Sequence, residues 1–171
     1  MAAKSMHDLF ADQLQDAYSA ESQLTKALPK MASAATNREL KTAFEQHLTE
    51  TEGQIKRLEQ VAKELNIKLT SMMGMQSANT CEAMEGLIAE GKEVMGLGLE
   101  GDVQDAGLIA AAQKVEHYEI ATYGCLCTWA KQLGYTNAQN LLHQSLEEEK
   151  RTDEKLTRLA ESQVNLQAAA R

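Results

Sequence analysis

The chemistry in this chain begins with acids placed where a helix calls for apolar side chains. Residues 114–124 read KVEHYEIATYG within a longer helical pattern. An α-helix turns by about 100° per residue. With Glu116 as reference, Ile109 and Cys127 lie about 20° to one side and Tyr123 about 20° to the other. Glu119 falls about 60° away, still inside the apolar stripe, whereas His117 lies about 100° off on the flank. Glu21 has Phe10, Leu14, Leu28 and Ala32 within about 20° of it. Glu149 is central among Leu142, Leu156 and Ala160. Asp153 shares its face one turn on, while Glu148 points away and reads as solvated. A further apolar face centres near Thr51, with His47 and Gln54 inside it and Glu50 at its edge. All these positions fall near the middles of their helices, so in a bundle they meet in one layer.

An isolated buried carboxylate costs several kcal/mol or takes up a proton. Several in one apolar layer need cations, and Lys26, Lys30 and Lys150 are too few and badly placed. Two divalent cations would balance four negative charges. The candidate ligands are Glu21, Glu50, Glu116, Glu119 and Glu149, with Asp153 and His47 as further donors. The competing reading is that the acids face water or bond to Tyr18, Tyr118 or Tyr123. His47 taken alone reads first as a hydrogen-bonded core histidine, and His117 and His143 as structural or exposed.

Four long amphipathic patterns must position these groups. The first spans about Ser5 to Ala34, with Pro29 expected to kink or loosen its last turns. The second opens at a capping box, Thr36-Asn-Arg-Glu39, with Thr36 as cap, and fades near Asn66. Residues 67–101 form a long crossover carrying a short helix from about Cys81 to Met95. Its MMGMQSANT stretch reads as loop, and Met72, Met73 and Met75 as loop or gap-filling core. Gly96-Leu-Gly-Leu-Glu-Gly101 has the form of a nucleotide-binding GxGxxG, but no strand precedes it. Its glycines read instead as a helix stop and turn, with Asp102 capping the third long helix. That helix runs to Leu133 and stops at Gly134. The fourth runs from about Asn137 to Gln163, and residues 164–171 read as a frayed tail. Two hairpins joined by a long crossover make an all-α, ferritin-like four-helix bundle, a single domain over 1–171.

The 171 residues carry a formal net charge of −8, which argues against nucleic acid and anionic lipid as partners. No apolar run reaches the roughly 20 residues needed to span a bilayer. The opening MAAKSMHDLF lacks the apolar centre of a signal peptide, so a cytoplasmic location is expected. Three cysteines without a CxxC read as reduced, partly buried thiols rather than a catalytic site.

The stretches DAYSAESQLTKALPKMA, FEQHLTETEGQI, AMEGLI, LIAAAQKVEHYEIATYG and LEEEKRTDEKLT resemble the YciF/YciE family of ferritin-like bacterial stress proteins over nearly the whole chain. The resemblance implies a ferritin-like fold, a homodimer, a di-metal centre and a place in stress response. The ligand layout is also similar to that of rubrerythrin, a peroxide-reducing di-iron protein. Glu21 matches its first-helix glutamate and Glu116-His-Tyr-Glu119 its Glu-x-x-Glu. Two departures stand out. Asp153 replaces a histidine in Glu149-Lys-Arg-Thr-Asp153, and Glu50-Thr-Glu-Gly53 lacks the second-helix histidine, leaving His47 or Gln54 as substitutes one turn away.

An oxygen-rich site accepts manganese, magnesium or calcium as well as iron. Without a rubredoxin-type cysteine domain, a catalase-like or ferroxidase-like cycle on a small-molecule oxidant is the cleaner expectation. Tyr18 and Tyr123 are expected beside the ligands. The alternative is a non-enzymatic stress or interaction module, its polar layer holding helix register or partner specificity over protonated acids and a vacant or structural metal site. Iron storage is disfavoured, because nothing in the sequence indicates a cage or a haem site.

Overall fold

A computed structural model describes residues 5–69 and 80–170. The helices are α1 (Met6–Ala34), α2 (Arg38–Glu64), α3 (Glu82–Gly96), α4 (Asp102–Gln132), α5 (Thr136–Leu159), a π turn (Ala160–Val164) and α6 (Asn165–Ala169). The four long ones form the ferritin-like bundle. α1 pairs with α2 and α4 with α5, and the hairpins close through α2 against α5 and α1 against α4. α3 lies against α4 and α1. Met72, Met73 and Met75 fall outside the described residues.

Contacts at the two ends fix the direction of each helix. At one end Asp105, early in α4, meets Thr36 and Asn37 at the start of α2. At the other, Asn137 at the start of α5 donates to Glu64 at the end of α2, and His7 meets Tyr135. α2 and α4 therefore run parallel, and the crossover between them returns the length of the bundle.

Local chemistry sets the helix ends. Ser5 Oγ accepts from Asp8 N at 3.1 Å and caps α1. Pro29 does not end α1, which continues to Ala34. α2 is capped by Asn37, whose Oδ1 accepts from Glu39 N at 2.8 Å and Leu40 N at 3.1 Å. This corrects the expectation for Thr36, which is engaged by Asp105 instead. Gly101, at φ +57 and ψ −132, takes the N-cap position of α4 expected of Asp102. No side chain fits that backbone comfortably, so the glycine is required there. α4 ends in a Schellman motif: Tyr135 N bonds Ala130 O at 2.9 Å and Gly134 N bonds Lys131 O at 3.2 Å, with Gly134 at φ +75.

The expected frayed tail over 164–171 is helical as far as Ala169. The π turn admits one extra residue, which re-phases the helix so that both Ala160 and Val164 face the core. Val164 packs against the cluster that holds Leu40, Phe44, Leu108 and Leu156.

The core is two apolar blocks. One gathers Leu24, Leu28, Leu40, Phe44, Leu108, Ile109, Ala112 and Leu156. The other gathers Phe10, Leu14, Leu58, Val61, Tyr123, Leu126, Ala138 and Leu142. Between them lies a buried polar layer drawn from all four long helices: Glu21, His47, Thr51, Gln54, Glu116, Glu119, Ser145 and Glu149. Among the described residues no helix is long and apolar enough to cross a membrane.

Candidate metal centre

The apolar stripe of each long helix carries its polar intruders to mid-bundle. Glu116 and Glu119 are one turn apart on α4 and share its buried face. Glu149 comes from α5, His47 from α2 and Glu21 from α1. One ligand atom from each of His47, Glu116, Glu119 and Glu149 lies within 4.8 Å of all the others. His47 Nε2 is 3.3 Å from Glu116 Oε1 and 3.9 Å from Glu149 Oε2. Glu21 stands in the same layer, and its charge is felt by both Glu116 and Glu119. Its Oε1 accepts from the Tyr123 hydroxyl.

Most of the donor atoms here have nothing to bond. Glu21 Oε2, both ring nitrogens of His47, Glu116 Oε2, both Glu119 oxygens and Glu149 Oε2 are buried without a hydrogen-bonded protein partner. Buried polar groups ordinarily find one. Seven such atoms in one layer form a donor set of four carboxylates and an imidazole, which fits a hard or borderline divalent cation.

The electrostatics agree. Burial, reinforced by the charge of Glu149, holds Glu21 and Glu116 well above the usual carboxylate range. Burial and then Glu21 do the same to Glu119. Glu149 is raised by burial, against the pull of His47 and of the Gln54 amide. Without a cation these acids retain protons, and a divalent cation would replace them. Burial and then the charge of Glu21 push Tyr123 up, so its phenol stays protonated as a donor.

Two proposed ligands lie at the border. Glu50 is 26% exposed; it accepts from Thr152 Oγ1 at 3.4 Å and lies 3.9 Å from His47 Nδ1. Its carboxyl is held low, first by His47. Asp153 is 21% exposed and turns to α4, accepting from Gln113 Nε2 at 3.0 Å and lying 3.5 Å from His117 Nε2. His117 is 70% exposed, on the flank as its angle required. Tyr18 does not reach the layer and bonds Glu59 at 3.3 Å.

The sequence reading did not anticipate the flanking network. Gln54 donates to Glu149 and, at 3.2 Å, to Glu148. Arg57 pairs with Glu148 and donates to Ser145 Oγ at 3.0 Å. Glu148 is therefore held by protein groups rather than solvated. Arg57 lies about 120° from Thr51 on its helix, so angle alone could not reveal it. Asp105 lies about 20° from Glu116 around α4, so its angle marks it as another acid on the apolar face. It is fully buried and accepts from Thr36 N at 2.8 Å, Thr36 Oγ1 at 2.5 Å and Asn37 N at 2.7 Å.

Cys81 is buried, caps α3 and lies 3.0 Å from the Tyr118 hydroxyl, while Cys125 is exposed and Cys127 half-buried.

The chain matches DUF892, a domain of unknown function, over residues 5–169. Protein YciF of Escherichia coli is 53% identical over 169 residues, covering 98% of each chain. The crystal structure of that stress protein superposes with a TM-score of 0.88 at 54% identity, covering 95% of this chain and 99% of the other. YcfI from Rhodopseudomonas palustris matches with a TM-score of 0.81 at 45% identity, covering 90% and 94%.

Proposed function

This chain belongs to the DUF892 family, and from that premise we propose that it is a bacterial stress-response protein whose acid layer holds two divalent metal ions. The supporting observation is the set of seven buried donor atoms without protein partners. Glu21, His47, Glu116, Glu119 and Glu149 are the residues that would hold the metals. Glu50 and Asp153, being border residues, stand outside that set. The imidazole of His47 adds a nitrogen donor that favours iron or manganese over magnesium or calcium. When bound, such metals supply reversible redox chemistry toward peroxide or oxygen, catalase-like or ferroxidase-like in outcome.

The chain's own residues do the rest. Tyr123 keeps its proton and fixes one oxygen of Glu21. Gln54 fixes one oxygen of Glu149 and leaves the other free toward the layer. The two apolar blocks exclude water from both axial sides. Arg57 offsets charge at the rim without entering the ligand set.

The reading includes a cytoplasmic homodimer that acts on a small oxidant and not on nucleic acid or membrane. Sedimentation tests the dimer. The central test is metal analysis of protein purified without chelator, followed by oxygen evolution from peroxide. About two iron or manganese ions per chain, lost in Glu21→Ala with Glu149→Ala, is the expected result. Metal-free protein with no affinity for either ion would leave the acids as a protonated register layer in a non-enzymatic module.

A further inference from the structure

Beside the acid layer, between α2 and α5, a cleft of about 370 Å³ opens to solvent. It has room for on the order of ten waters. α2 contributes Ala43, Gln46 and Glu50; α5 contributes Arg151, Thr152, Glu154, Lys155 and Arg158. Arg151, Lys155 and Arg158 recur at i, i+4 and i+7, so one face of α5 turns three cations toward the opening.

Those cations are weakly compensated. Among the described residues, no carboxylate stands within ion-pair distance of any of the three. Lys155 is fixed by a neutral partner, Gln46 Oε1, at 2.9 Å. Arg151 and Arg158 are exposed. Arg151 acts at longer range on Glu50, whose carboxylate is also engaged by Thr152 and His47. In a chain of net charge −8, this cleft is lined by more cations than anions.

Two lining residues connect the cleft to the central layer: Thr152 Oγ1 donates to Glu50 at 3.4 Å, and His47 Nδ1 lies 3.9 Å from the Glu50 carboxylate. Three cations against the two carboxylates Glu50 and Glu154 leave the lining net positive, which attracts a small anion and opposes a divalent cation.

We propose that the α2–α5 cleft is a binding site for a small inorganic oxyanion of the phosphate class, held by Arg151, Lys155 and Arg158. The guanidinium groups suit such oxygens through paired N–H bonds, and the ammonium adds a point charge. The site stands independently of any metal, since every group in it belongs to the chain.

The test therefore uses the full chain stripped of metal by chelator. Inorganic phosphate is titrated at low ionic strength and followed by backbone amide NMR. Saturable shifts confined to residues 43–50 and 151–158 are expected. Arg151→Gln with Arg158→Gln should weaken binding by about tenfold or more, and Glu154→Gln should leave it equal or tighter. Both arginines are exposed, so an unchanged thermal midpoint checks the fold of the variant; Lys155→Gln alone provides an independent weakening. Shifts that fail to saturate, that chloride reproduces at matched ionic strength, or that persist at full affinity in the double variant would overturn the proposal. None of these outcomes depends on whether the central layer binds metal.

Discussion

Glu119 gives the sharpest test of the acid layer, because both its oxygens are buried without a hydrogen-bonded partner. Its carboxyl is held well above the usual range by burial and by the charges of Glu21, Glu149 and Glu116. The linkage has a definite sign. An acid with a raised folded-state pKa binds more protons folded than unfolded. Its stability contribution is intact below the unfolded value of about 4.3 and declines as pH rises toward the folded one. Each such proton costs about 1.4 kcal/mol per pH unit over that range, so no more than about 4 kcal/mol at pH 7. Glu119→Gln is nearly isosteric and removes the titration, at the price of an amide that is itself poorly satisfied. In chelator-treated protein the variant should be more stable than the parent by about 1–3 kcal/mol at pH 7.5, with a gain of roughly 3–10 °C in Tm. Near pH 5 the advantage should shrink to within about 0.5 kcal/mol. With manganese or iron present the order should reverse, since the variant lacks a donor and gains less from metal. Thermal melts over pH, with and without metal, read all of this. A metal-free variant that melts below the parent at pH 7.5, or an advantage that ignores pH, would refute the reasoning.

Asp105→Ala removes the acceptor of three short bonds to Thr36 and Asn37, so a loss of about 3 kcal/mol is expected, seen as a fall of roughly 6–12 °C in Tm. Tyr123→Phe leaves both Glu21 oxygens without a partner and should cost about 1–3 kcal/mol by denaturant titration. A Cβ on Gly107 would come within 2.7 Å of Val94 Cγ1, so Gly107→Ala should destabilise by about 1–3 kcal/mol, and adding Val94→Ala should restore most of that in a double-mutant cycle.

The long helices were legible because each buries a continuous stripe at the helical period, and Glu21, Glu116, Glu119 and Glu149 were legible as interruptions of it. His47 lay inside the α2 face by angle, but nothing in the sequence could separate a core histidine from one facing three carboxylates. Glu50 was read at the edge of its stripe, and Asp153 on the face of Glu149. In the structure Glu50 accepts from Thr152, and Asp153 accepts from Gln113 and lies beside His117, because a part-exposed acid takes the partner that the neighbouring helix offers. The capping box misled for a related reason. Thr36 has the right chemistry, but Asp105, from a distant stretch of chain, claims it. The π turn was invisible because it shifts the helical period by one residue within five.

The donor set comes one helix at a time: Glu21 from α1, His47 from α2, Glu116 and Glu119 from α4, Glu149 from α5. Each hairpin can form from local contacts, but the set is complete only once the two hairpins meet across the long crossover, the slow closure in such a topology. At neutral pH that meeting brings acids from both hairpins into one dry layer. Cation uptake relieves the cost at that step and not before. Metal supply should therefore set the speed of assembly as well as its end point: refolding by stopped-flow should accelerate with added manganese while the early formation of helix stays unchanged.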